Sequence, residues 1–576
     1  MNKEERVKYL KDKIQELNDR IDQITYDRGE NPLDEDIQED EVHYNELDEL
    51  GRDLSGFEQE LREIEYNEEE EFRREELRNL IHREGYIIRD KESTSDLLSR
   101  LEHAQEIGKL LSNKQTLTPL TLGIYGNWGE GKSTFLGLIE NELGNINKKI
   151  EDDREEEIKY NKTHVVRFDA SEYNDQDKIW YSMLSRLFAK YEEEVGSLAK
   201  VKYGLYMLKK SFNENKLNYI INFSLLALFL IWIFVYSKDK SILEVITEND
   251  VIINILGLVS TFTVATNIVL PIIKKLKFLT KPMSDNLISQ LKYPDYKDLL
   301  GTREKVKENL EVLIRAWTKR SGDKIVILVD ELDRCSEETI VEFFEALQLF
   351  LPVESIIHVI AINEETVCFA LANNNFHYFD KEFVPNSEKL AFGKNYLEKY
   401  ITIPYYLPYE NSYKQYINHL LSDNSSNDYF RVFTEVEKEI LIKIIIDISE
   451  NQHITPREMK KIINLLLLSK ERIININKKK EKGIIVKFEE HLSWFLLKYF
   501  YPDTSNQVIN YLKKYYRYNK YKKFKEISSN LLYSKGFNEN PKAEQVKKLF
   551  EYIEELRVDY ILISNKISET LIVTKK

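Results

Sequence analysis

Residues 120–143 read LTLGIYGNWGEGKSTFLGLIENEL, and this stretch decides the fold. Its opening apolar run, Leu120–Tyr125, is short enough for a buried strand. Gly126 ends the run, and after four more residues come Gly131, Lys132 and Ser133. Phe135, Leu136, Ile139 and Leu143 then recur at helical spacing. Strand, GxxxxGK[ST], helix is the sequence context of a phosphate-binding loop. Its glycines let backbone N–H groups turn inward around phosphate oxygens, and the helix N-terminus adds partial positive charge. The pattern implies a nucleoside triphosphate, ATP, cradled by Gly126, Asn127, Trp128, Gly129, Glu130, Gly131, Lys132, Ser133 and Thr134. Lys132 is expected to reach the β- and γ-phosphates, and the Ser133 hydroxyl to ligate Mg²⁺.

A P-loop needs acids delivered by a second strand. Residues 324–329, KIVILV, read as another strand, apolar after its opening lysine, followed at 330–335 by DELDRC. In this Walker B arrangement Asp330 holds the Mg²⁺ shell and Glu331 orients or deprotonates the attacking water. A helix is expected over 337–351, then a strand over 356–362 ending at Asn363, a polar residue positioned to sense the γ-phosphate or the lytic water. Further strands are read at 163–168 and 400–404, and a helix carrying Leu97, Leu98, Leu101 and Ala104 is expected to be capped within 93–96. Thr455 and Pro456 open a later helix whose first turn holds Arg457. A cation there opposes the helix dipole, so either a phosphate or a surface carboxylate is its partner.

The net charge of −15 is unevenly spread. Residues 1–80 carry 28 acidic and 12 basic residues, which leaves the remaining chain near neutral. In that arm Val7, Leu10, Ile14, Leu17, Ile21 and Ile24 step by three and four, as do Leu47, Leu50, Leu54, Phe57, Leu61 and Ile64. Two such seams, separated by a Gly- and Pro-containing acidic turn, predict an antiparallel helical hairpin of the coiled-coil kind. The charge reads as a solvated face. Two cysteines, Cys335 and Cys368, exclude a disulfide framework and suit a reducing cytosol. No His/Cys spacing suggests structural zinc, and Met1 is followed by charged residues with no apolar leader.

Between the two nucleotide motifs lie two uncharged stretches, 218–236 and 251–273. At about 1.5 Å per residue they measure roughly 28 and 34 Å, which matches a bilayer core. Lysines precede the first and follow the second, while the 237–250 connection is acidic. The positive-inside rule then puts the flanks and both termini in the cytoplasm and the 237–250 connection outside; the expected location is the inner (cytoplasmic) membrane. Near the end, residues 511–525 read YLKKYYRYNKYKKFK, seven basic residues interleaved with five Tyr and one Phe. Such mixing suits nucleic acid, an anionic lipid surface, or a solvated helix face with tyrosines packed beneath it.

These features resemble one family, the KAP P-loop NTPases, whose mark is a membrane hairpin between Walker A and Walker B. The resemblance is carried by GNWGEGKST, by Phe168, Ala170, Tyr173, Asp177 and Trp180 in an F-x-A-x-x-Y-x-x-x-D-x-x-W string, and by DELDRC, YLEKYITIP and TPREMKK. It spans about residues 90–468. Two departures stand out: Ser171 where the family usually has Trp, and Asn363 where Asp is frequent. The resemblance implies an α/β, ASCE-type parallel sheet with helices on both faces, Glu331 as the catalytic carboxylate and an intracellular ATPase face. It further implies a switch or assembly platform acting beside an effector protein in bacterial anti-phage defence.

The expected organisation is an acidic helical hairpin (1–84), the first part of the NTPase core (85–217), the transmembrane hairpin (218–273), the second part of the core (274–432) and a helical C-terminal region (433–576). A homo-oligomer is expected. The activity expected is Mg²⁺-dependent ATP hydrolysis using Lys132, Glu331, Asn363 and Arg457. The alternative is a nucleotide-responsive scaffold or nucleic-acid-binding module with little turnover, and an intact Glu331 argues against it, because a pure scaffold can dispense with that carboxylate.

Overall fold

A computed structural model describes residues 3–30, 37–79, 98–152, 159–173, 179–214, 299–318, 322–350, 353–375, 384–408, 413–421, 433–450, 452–479, 485–519, 522–526, 547–548 and 550–572, with isolated positions between 216 and 227. It falls into two compact units, residues 91–410 and residues 1–90 with 411–576. In chain order the elements are α1 (Lys3–Glu30), α2 (Ile37–Asn79), α3 (Leu101–Ser112), β1 (Leu120–Tyr125), α4 (Lys132–Asp152), β2 (Thr163–Asp169), α5 (Ile179–Val195), α6 (Ala199–Glu214), α7 (Leu299–Trp317) and β3 (Lys324–Asp330). Then follow α8 (Glu337–Phe350), β4 (Ile356–Ile362), α9 (Glu364–Asn374), α10 (Asn386–Leu397), β5 (Ile403–Tyr406), α11 (Tyr413–Leu421), α12 (Glu435–Ser449), α13 (Pro456–Lys479), α14 (Phe488–Phe500), α15 (Pro502–Asn519) and α16 (Val558–Ser568).

The unit of residues 91–410 is built on a five-stranded parallel sheet in the order β2-β3-β4-β1-β5. Strands β1, β3 and β4 are buried along their whole length, as strands covered on both faces must be. Side chains alternate between two cores. Leu122, Ile124, Val326, Leu328, Val359 and Ala361 pack under α3 and α4. Phe168, Ile325, Ile327, Val329, Ile360 and Ile362 face the larger core formed with α5, α6, α7 and α8. Helices α6 and α7, which flank the 215–298 segment in sequence, pack together: the Tyr203 hydroxyl donates to Asn309 Oδ1 at 3.3 Å, and Lys210 lies 3.7 Å from Glu311.

Two boundaries differ from the sequence reading by three residues or more. The strand expected at 400–404 begins at Ile403, because Tyr400 and Ile401 still donate to the carbonyl of Leu397 and Tyr400 packs against Phe344 and Tyr396. Helix α3 starts at Leu101, not near Leu97: Ser99 takes a left-handed φ of 54° and Arg100 stands at the N-cap. The two uncharged stretches at 218–236 and 251–273 fall outside the described residues apart from Ile220, Ser224 and Ala227. Among the described residues no helix is long and apolar enough to cross a membrane.

In the other unit α1 and α2 lie side by side and antiparallel, as the ion pairs Lys3–Glu68, Arg6–Glu60 and Arg20–Glu46 show. Leu10 is buried, and the remaining seam residues are half-buried between exposed neighbours. The expected segments 1–84 and 433–576 both belong here. Glu70 accepts from the Tyr560 hydroxyl and from the backbone N–H of Ile485, each at 2.9 Å. Arg73 lies 2.9 Å from Glu490 and stacks on the Tyr560 ring. Part of the acidic arm is therefore buried against the C-terminal helices, where the sequence suggested a solvated face throughout.

Candidate nucleotide site

The loop after β1 is closed by its own side chains. Gly126 N–H donates to the Ile362 carbonyl at 3.1 Å, carrying the β1–β4 ladder one step into the loop. A Cβ on Gly126 would come within 2.8 Å of the Glu130 carboxylate and 3.1 Å of Leu407, so a larger residue there would have to push the Glu130 side chain aside. Gly129 and Gly131 take φ of 81° and 90°, the region that only glycine occupies without strain. Glu130 folds back to accept from the Asn127 backbone N–H at 2.7 Å and its side-chain amide at 3.0 Å. Arg100 braces the loop from below, donating to the carbonyls of Glu130 (2.5 Å) and Pro408 (3.1 Å). Lys132 opens α4, with Ser133 and Thr134 partly exposed in its first turn. Its ammonium donates to the carbonyls of Gly126 (2.9 Å) and Asn127 (3.2 Å).

The acids arrive on β3, which β4 separates from β1. Asp330 is buried at the strand end, 3.3 Å from Arg167, and its Oδ1 accepts from the Glu331 N–H. Glu331 sits in the left-handed region (φ 55°, ψ 24°), a conformation costly for a residue with a side chain. Ser171 Oγ lies 2.7 Å from its Oε2, and the Arg334 guanidinium 2.5 Å from its Oε1. Burial pushes the Glu331 carboxyl above the ordinary glutamate value, with Asp169 and Asp330 adding to the rise, while Ser171 and Arg334 oppose it. One further acid, Asp333, points back to the P-loop: its Oδ2 accepts from the Trp128 indole N–H at 2.9 Å and lies 3.3 Å from Lys132 Nζ.

The residues read from the sequence thus divide. The loop residues 126–134 and the DELDRC motif meet at one end of the sheet through Lys132, Trp128 and Asp333. Asn363 follows β4, but its Oδ1 is occupied as the N-cap of α9, accepting from the Thr366 N–H (3.0 Å) and hydroxyl (2.9 Å). Arg457 belongs to the other unit, exposed in the first turn of α13. In the 511–525 stretch, Lys523 and Lys525 pair with Glu555, and the side chains of 515–521 fall outside the described residues. Sequence reasoning gave no role to Asp333, Arg167 or Arg334. The third acid of DELDRC was the available signal for Asp333. Ser171, noted only as a departure, touches the expected catalytic carboxylate.

For Mg²⁺ the residues fit. A Ser133 hydroxyl in the first helical turn and an Asp330 carboxylate are hard oxygen donors, and a nucleotide-bound Mg²⁺ takes few protein ligands beside phosphate and water. Among the described residues no cluster of three or more His, Cys, Asp or Glu side chains could hold a metal. No curated protein matches the chain. The model of the KAP family P-loop domain matches residues 100–472, which include the loop, the acid motif and all five strands and cover more than half of the chain. The chain belongs to the KAP family of P-loop NTPases.

Proposed function

We propose that this protein is a Mg²⁺-dependent ATPase, tethered to the membrane through residues 218–273, whose hydrolysis drives a conformational or assembly switch. The reading rests above all on one observation: Lys132 and Trp128 of the P-loop meet Asp333 of the acid motif, groups about 200 residues apart in sequence. In this reading Lys132 and the loop N–H groups bind the β- and γ-phosphates. The Ser133 hydroxyl and Asp330 hold Mg²⁺, which when bound neutralises charge on the phosphate oxygens. Glu331 accepts the proton of the attacking water, and the upward shift that burial gives its carboxyl makes it a stronger base. The membrane tether is supported by the two uncharged stretches and their lysine flanks, and the switch role, homo-oligomer and anti-phage defence by the family resemblance alone.

Two variants test the ATPase. Lys132→Ala is expected to lose nucleotide affinity. Glu331→Gln keeps the cradle and removes the base, so it should bind ATP as wild type does while turnover falls about 100-fold or more. Equal ATP affinity in wild type and Lys132→Ala would falsify the site.

A further inference from the structure

Asp330 and Glu331 have roles in hydrolysis, whereas the third carboxylate of the motif has none so far. Asp333 sits on the 3-10 turn Leu332–Arg334 and is 8% exposed. Its Oδ2 accepts from the Trp128 indole N–H and forms an ion pair with the Lys132 ammonium at 3.3 Å. That ammonium donates to the Gly126 and Asn127 carbonyls, so two neutral acceptors and one charge partner surround it. Lys132 is itself only 8% exposed. An ammonium withdrawn from water needs a counter-charge, and Asp333 is the carboxylate paired with it here. Phosphate oxygens bring the same kind of charge to the same ammonium. A carboxylate already there competes for the protons and repels the newcomer.

We propose that Asp333 is a displaceable counter-ion: it holds Lys132 and Trp128 in place while the P-loop lacks nucleotide, and the β-phosphate of an arriving nucleotide takes Lys132 from it and frees the indole. Asp333 is in this sense a positioning residue, acting through Lys132. The inference rests on the nucleotide-binding reading above. It adds that affinity is set partly against a built-in competitor. It also makes Trp128, a residue 60% exposed, the group that reports the exchange. A nucleoside monophosphate has no β-phosphate and should leave the contact intact.

The test uses the full-length protein with ADP or AMP in the presence of EDTA, so that no metal ligation by Asp330 enters. Trp128 emission is taken as the difference between wild type and Trp128→Phe. It should change on adding ADP and not on adding AMP. Asp333→Asn removes the charge while its amide oxygen can still accept from the indole. It should bind ADP about tenfold more tightly, equivalent to about 1.4 kcal/mol, and lose most of the ADP-dependent emission change. Unchanged or weaker ADP binding by a folded Asp333→Asn protein overturns the proposal. So does an emission difference that ADP does not alter, or that AMP alters equally, and this arm decides alone if Asp333→Asn does not fold. Lys132→Ala separates the two levels: ADP binding equal to that of wild type removes the nucleotide site itself, and the counter-ion role with it.

Discussion

A single hydroxyl is shared between two carboxylates at the heart of this site. Ser171 Oγ lies 2.7 Å from Glu331 and 2.8 Å from Asp169. With one proton to give, it donates to Glu331 when that group is ionised and leaves Asp169 to the Ser171 backbone N–H. Such a bond favours the charged form and opposes the rise that burial imposes on Glu331. In the proposed mechanism, a pH that falls through this pKa protonates Glu331 and turnover is lost. Ser171→Ala removes the opposing bond, so the acidic limb of its rate profile should move to higher pH. With a net bond worth of about 1 kcal/mol, turnover on that limb should fall about fivefold. A limb that stays put or moves to lower pH would rule out the contact's role. Lys132 and Glu331 were legible in the sequence because their motifs fix spacing. The Ser171–Glu331 contact was not, since it joins residues 160 positions apart, just beyond the ends of the paired strands β2 and β3.

Helices α9 and α10 approach so closely that Gly393 of α10 has no room for a side chain. A Cβ there would come within 2.5 Å of the backbone and side chain of Cys368 in α9. Two effects of opposite sign meet at this position. Alanine gains up to about 1 kcal/mol in helix propensity, while overpacking a backbone contact costs about 1–3 kcal/mol or more. The clash wins, so Gly393→Ala should lower the thermal midpoint of the NTPase unit. Gly137 of α4 is the control: no atom stands within 4 Å of its would-be Cβ, and Gly137→Ala should hold or raise the midpoint. If both variants raise it, the close packing of α9 on α10 is wrong. Elements themselves were legible wherever burial was complete: the apolar runs of β1, β3 and β4 leave no other reading. β5 was misplaced because it alternates between half-buried and exposed positions at the sheet edge and starts beside buried aromatics.

At the scale of the whole chain, composition concealed an arrangement. It counted the acids of the arm but could not say which of them meet partners, and Glu69, Glu70 and Arg73 lie against Arg557, Tyr560 and Glu490. The membrane hairpin remains a proposal, and α6 and α7, packed side by side, hold the two ends of the segment that would contain it. A reporter within 237–250 should face the cell exterior, and reporters at either terminus the cytoplasm. Replacing 218–273 by a flexible linker should give a protein that needs no detergent and hydrolyses ATP within about tenfold of wild type, roughly 1.4 kcal/mol in barrier. Loss of ATP binding in a folded deletion would show that the segment is part of the catalytic fold. Full-length protein that stays in solution without detergent would dismiss the spans.

The strand order has a consequence for how the polypeptide is made. β1 and β2 leave the ribosome before the other strands, yet they are not neighbours: among the described residues β1 pairs with β4 and β5, and β2 with β3 alone. Between the end of β2 at Asp169 and the start of β3 at Lys324 lie 154 residues. At about 5–20 residues per second their synthesis takes roughly 8–30 s. Closing so long a connection costs about 2 kcal/mol more than closing a 20-residue crossover. For that interval the first two strands have no partner within the sheet. β3 supplies one to β2, and β1 must wait until β4 follows it. The P-loop is thus among the first parts of the NTPase unit to be synthesised and among the last to be fixed in place. The segment that separates its strands is complete before the sheet can close.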